Sequence, residues 1–228
     1  RGVVEDRGVV GRQISIELKL LINKFPTAIG LSVGCLFLQA NKYFYMSYCS
    51  AIPNMQPEER KALHTNYHDY HYGFPIHDDN ELFGRLILEI NQAGLSWETI
   101  LKKEEAFRKA YADFDIKKVA NFSETDRERL LQDAGIIRNK LKVNAAIENA
   151  KTILGIQQEF GSFEKWLEHH HPKTKAEWVK LFKKTFKFTG GEIVGEFLMS
   201  IGYLQGAHDA SCAIHAKVLK SKPKWMGS

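Results

Sequence analysis

Along residues 78–200 apolar side chains recur at intervals of three and four, the spacing that places them on one face of a helix. Leu82, Phe83, Leu86, Ile87 and Ile90 make the clearest stripe. Asp78 and Asp79 precede it, where a helix start takes acceptors and negative charge, and Gly94 follows where the helix can stop. Ser96 is placed to cap a second helix running through Ile100, Leu101, Phe107 and Tyr111. Ser123 with Asp126, Thr174 with Glu177, and Thr189 with Glu192 share the capping-box spacing, in which hydroxyl and carboxylate satisfy each other's backbone donors, so each predicts a further helix start. Alternating strands and Asn-Gly hairpin turns are missing from this pattern. The expected fold class is all-α with short loops.

Residues 1–45 do not share this periodicity. They contain no methionine, they repeat a short basic phrase in RGVVEDRGVVGR, and the apolar run at 28–40 is too short to span a bilayer and too far from the start for a secretory signal. The expectation is an added extension over 1–45, with the folded domain at 46–228 beginning near Met46. The 228 residues suffice for one sizeable core. A formal charge of +5 suits an anionic partner without naming one. Three cysteines, Cys35, Cys49 and Cys212, are too few for a disulfide framework, which points to a reducing, cytoplasmic setting with no membrane association.

Two histidine arrangements invite a metal. His169, His170 and His171 are consecutive, so on a helix they point about 100° apart and cannot converge on one ion; a solvated helix end is expected there. His208 and Cys212 lie four apart, which on a helix puts both on one face, and Cys49 and His68 offer a second thiolate and imidazole. Taken alone, each pair reads equally as a buried thiol and a satisfied ring. All four together would make a closed Cys2His2 set with no place for water, hence structural.

Several stretches in register resemble the bacterial 3-methyladenine DNA glycosylase I family: YHDYHYGFP at 67–75, LEINQAGLSWETILKK at 88–103, DAGIIRNK at 133–140, FKFTG at 186–190 and HDASC at 208–212. The resemblance spans roughly residues 46–215. It implies a helix-hairpin-helix DNA glycosylase fold, with a structural zinc ion on Cys49, His68, His208 and Cys212 tying the N- and C-terminal segments together. It also implies a hydrolytic base-excision enzyme that flips 3-methyladenine out of alkylated double-stranded DNA and leaves the strand uncut. In this chain Cys49 precedes Ser50 and Ala51 instead of the family's Gly-Trp, and Tyr72 replaces a common tryptophan.

The residues support that chemistry. Methylation at N3 gives adenine a positive charge, which an indole face attracts, so Trp97 suits the base pocket. Glu89, flanked by Leu88 and Ile90, is a carboxylate in an apolar run, and a cationic base would be its partner; the resemblance gives it the catalytic-site role of contacting the extruded base. Tyr67 and Tyr72 would complete the pocket, Tyr67 by stacking across the base or by hydrogen bonding to it. Gly94 and Leu95 form a turn with an apolar tip, a wedge for distorted duplex. Gly135, Arg138 and Lys140 are expected to bind DNA, the glycine by allowing a sharp turn whose backbone donors face a phosphate, with Lys142 adding charge. A non-enzymatic zinc-stabilised helix-hairpin-helix module would share the basic turn and the metal, but has no use for an aromatic pocket with an embedded carboxylate. A zinc hydrolase needs an open coordination position, which four protein ligands deny. A monomer is expected.

Overall fold

The computed structural model of the chain describes residues 47–227; the expected extension at 1–45 and its boundary at Met46 lie outside them. Among the described residues every regular element is helical. The α-helices are α1 (Tyr48–Ala51), α2 (Glu58–Tyr70), α3 (Asp79–Gln92), α4 (Trp97–Ala110), α5 (Ile116–Ala120), α6 (Glu124–Gln132), α7 (Lys140–Phe160), α8 (Phe163–His170), α9 (Lys175–Thr185), α10 (Gly191–Ser200) and α11 (Ala213–Lys220).

The caps explain most starts. Asp78 accepts from the backbone of Asn80 and Glu81, Ser96 from Thr99, and Ser123 and Thr174 form complete capping boxes with Asp126 and Glu177. The expected box at Thr189 does not form. There the Thr189 hydroxyl donates to the Phe186 carbonyl, and α10 starts one residue later behind Gly190.

Helix α3 is the central element: its residues from Leu82 to Asn91 are all buried, and it packs against α4, α5, α7, α8 and α10. A helix buried all round must satisfy any polar side chain it carries. Arg85 and Glu89 are therefore the residues to watch. Phe163, Phe182, Phe186 and Phe197 fill the layer between α8, α9 and α10. Burying each such ring contributes roughly 1.5–3 kcal/mol. No described helix is long and apolar enough to cross a membrane.

Candidate functional site

Two constellations stand side by side, joined through Tyr72. The first is the Cys/His group. Cys49 comes from α1, His68 from α2, and His208 and Cys212 from the loop before α11; one ligand atom from each lies within 4.8 Å of all the others. The helical spacing expected for His208 and Cys212 is not what unites them. Cys212 caps α11, and its N–H donates to the Asp209 carbonyl, so a turn brings the pair together.

The donor set can be tested against a tetrahedral ion. Bonds of about 2.0 Å to nitrogen and 2.3 Å to sulfur imply edges of about 3.3 Å for N···N and about 3.5 Å for N···S. Here His68 Nε2 and His208 Nδ1 are 3.1 Å apart. The sulfur to nitrogen distances are 3.3 and 3.7 Å for Cys49, and 3.7 and 3.9 Å for Cys212. The outer ring nitrogens are engaged: His68 Nδ1 with Asp69 Oδ1 at 2.6 Å, and His208 Nε2 with the Tyr72 carbonyl at 2.7 Å. Those bonds assign the protons to the outer nitrogens and turn two lone pairs toward each other, an arrangement a cation between them relieves. Burial pushes the Cys49 thiol up to about 12, and a metal ion reverses that preference by binding the thiolate. The group can hold a metal. No second group of this kind occurs among the described residues, and His169–His171 end α8 as expected.

The second constellation is aromatic and acidic. Tyr67, Tyr72 and Leu101 form a small buried cluster against which Trp97 and Tyr48 pack. The Tyr67 and Trp97 rings are 5.0 Å apart at 58°, and Tyr67 and Tyr72 are 5.5 Å apart. A base sandwiched between two rings needs about 7 Å from face to face, twice the thickness of a stacked ring, so Tyr67 and Trp97 are adjoining walls and not opposite ones. Of the two expectations for Tyr67, that geometry fits hydrogen bonding better than stacking. Its hydroxyl accepts from Arg85 NH1 at 2.8 Å, and burial holds its pKa well above normal, so it keeps a proton to donate. The Trp97 Nε1 is buried without a protein partner.

Glu89, 3% exposed, projects from α3 one turn beyond Arg85. Burial first, and then the charge of Glu196 on α10, push its carboxyl up to about 8, against the opposing pull of Arg85. That direction favours the protonated carboxyl. Tyr72 donates to Glu196 Oε2 at 3.1 Å, which gives its added hydroxyl a partner. Sequence reasoning missed Arg85 and Glu196. Arg85 is four residues before Glu89, so helical spacing could have found it; Glu196 is distant in sequence and carries no local signal.

The expected DNA-facing residues are partly redistributed. Gly94 has φ +83°, a backbone that favours glycine, and Leu95 after it is 38% exposed. Gly135 is explained by packing: a Cβ there would meet Ala106 Cβ at 3.0 Å and Asp133 Oδ1 at 2.9 Å, so the turn lies close on α4. Its N–H already donates to Asp133 Oδ1, and Lys103 binds the Ala134 and Gly135 carbonyls. Asn139 likewise caps Leu141 and Lys142. Arg138 and Lys140 are exposed. Lys142 is not: it is 4% exposed and donates to the Asn91 and Ala93 carbonyls at 2.8 and 2.7 Å, clamping the end of α3 to the start of α7.

Described residues whose regular elements are all helical, with a buried carboxyl near aromatic side chains and four residues that can hold a metal, fit the class of base-excision enzymes. The chain belongs to the methyladenine glycosylase family, whose sequence pattern matches residues 58–180. Over 172 residues it is 38% identical to DNA-3-methyladenine glycosylase 1 of Escherichia coli, covering 67% of this chain and 91% of that one. Over the same length it is 33% identical to the DNA-3-methyladenine glycosylase of Haemophilus influenzae, covering 67% and 93%. Among solved structures it superposes with a TM-score of 0.62 on a tyrosine-to-phenylalanine variant of 3-methyladenine DNA glycosylase I in complex with 3-methyladenine, at 34% identity over 67% of this chain and 91% of that one. The enzyme from Staphylococcus aureus superposes with a TM-score of 0.61, at 34% identity over 67% and 90%.

Proposed function

We propose that the chain is a DNA-3-methyladenine glycosylase, a hydrolase of N-glycosyl bonds that flips 3-methyladenine from alkylated double-stranded DNA and releases it without cutting the strand. The carrying observation is Glu89, a carboxyl buried near Tyr67 and Tyr72, on whose cluster Trp97 packs, and poised near neutrality. In the free pocket burial and the charge of Glu196 outweigh the pull of Arg85, and Glu89 keeps its proton. A cationic base makes the Glu89 carboxylate favourable, so recognition exchanges a proton for the positive ring. A neutral base offers no such exchange. Trp97 supplies the face that attracts the cation, and the Tyr67 hydroxyl donates to a base acceptor. The base leaves as a neutral molecule, so the pocket has little acid catalysis to supply, and water completes the hydrolysis.

Leu95 fills the gap left in the stack, while Arg138 and Lys140, at the turn of a helix-hairpin-helix formed by α6 and α7, hold the phosphates. Zinc suits the donor set of Cys49, His68, His208 and Cys212; four protein ligands give it a structural role, joining the two ends of the domain at 46–228. Through the Tyr72 carbonyl it also steadies a wall of the pocket. The protein acts on DNA as a monomer. The test is base release: duplex DNA treated with a methylating agent should yield free 3-methyladenine and intact strands that break only on alkali treatment. Failure to release the base, or direct strand scission, would refute the reading.

A further inference from the structure

The segment 186–190, just beyond the residues 58–180 that match the family's pattern, has no place in the chemistry above. Its geometry is unusual. Phe188 has φ +59°, a left-handed backbone that a non-glycine residue adopts only when its surroundings impose it, and its ring is 38% exposed. Both neighbours are fixed. Asn149, fully buried on α7, accepts from the Lys187 N–H at 2.7 Å and donates to the Lys187 carbonyl at 3.1 Å, while Phe186 and Thr189 are buried and bonded to each other. The turn is thus held rigidly with an aromatic ring at its tip, at a position where glycine would relax the backbone.

The ring also has a significant neighbour. Its centroid is 5.8 Å from Lys142 Nζ, the same atom that binds the Ala93 carbonyl just before Gly94 and Leu95. Through that one ammonium Phe188 stands near the backbone that leads into the Leu95 turn, and both side chains are 38% exposed. Lys183, Lys184 and Lys187 are exposed in the segment that leads to Phe188, and Arg138 and Lys140 in the one that leads to Lys142.

We propose that the Lys187–Phe188 turn is a second DNA-engaging element, in which Phe188 packs against the distorted duplex beside Leu95 while Lys184 and Lys187 contact phosphates. Apolar tips framed by cations and fixed before binding suit a polyanion whose base stack has been opened, since rigid apolar side chains hold an unstacked step and lysines hold its backbone. The inference rests on the proposed glycosylase function and assigns one of its contacts.

The test is Phe188→Gly in the full chain, with Phe188→Tyr as the conservative partner. Glycine accepts φ +59°, so the Phe188→Gly variant should stay folded and bind free 3-methyladenine as the parent does, yet bind duplex and release base from it about tenfold less well. Phe188→Tyr should keep most of the duplex activity. Replacing Lys184 and Lys187 with alanine should flatten the salt dependence of duplex binding by roughly two counterions. Parental duplex affinity and base release in Phe188→Gly would overturn the proposal, as would weaker free-base binding, since that would make the ring a support of the pocket. A parent that releases no base from alkylated duplex overturns the glycosylase function itself, and this contact with it.

Discussion

Replacing Glu89 by glutamine separates its proton from its shape. In the native protein burial and Glu196 push this carboxyl up to about 8, against an ordinary value of 4.5 in the unfolded chain. The raised native value means the folded state binds the extra proton between those limits, so stability is fully present below pH 4.5 and falls as pH rises toward 8. At 1.36 kcal/mol per pH unit, the contribution lost between pH 5 and pH 8 is roughly 3–4 kcal/mol. Glu89 is 3% exposed, so solvent screening does not reduce that figure much. A glutamine side chain cannot ionise, and the Glu89→Gln chain escapes the loss. At 2–4 °C per kcal/mol for a domain of this size, its melting temperature relative to the parent should climb by on the order of 10 °C between pH 5 and pH 8. Melting both proteins side by side in buffers across that range measures the difference, with other titrating groups cancelling. A difference independent of pH would refute the buried, protonated state of Glu89, and with it the exchange of proton for cationic base.

Three further outcomes follow from the site. Cys212→Ser should lose metal, and its unfolding free energy should drop by several kcal/mol, because structural zinc sites contribute about 10–16 kcal/mol of apparent binding energy in small peptides; metal analysis and denaturant melts check both. Trp97→Ala should weaken productive binding of alkylated duplex by roughly 1–3 kcal/mol while circular dichroism shows the fold retained. A chain starting at Met46 should match the full chain in melting temperature and base release, since every proposed pocket and metal residue follows that point.

The helical layout is largely legible because caps are local: Asp78, Ser96, Ser123 and Thr174 bond within three residues, and their side chains announce it. Thr189 shows the limit, since its hydroxyl has a competing acceptor in Phe186 that spacing does not reveal. His208 and Cys212 show another: an interval of four serves a turn as well as a helix. Sequence alone groups Lys142 with Lys140 as surface charge, although residues two apart on a helix face nearly opposite ways and only one of them can point outward. The acid–base balance of the pocket depends on Glu196 reaching Glu89 and Tyr72 from another helix, and no local pattern encodes that approach.

The Lys142 clamp carries a mechanical consequence. One side chain fixes the span between the end of the Glu89 helix and the start of the helix behind the basic turn. On the proposed function, that clamp holds the spacing between the pocket helix and the basic turn, so the bend needed to fit both falls on the duplex. Sites where the duplex yields easily, through weak stacking or a disturbed pair, would then meet the protein at lower elastic cost than stiff undamaged sequence. Compliance of the double helix would be a first filter on what is inspected, and chemical recognition the second.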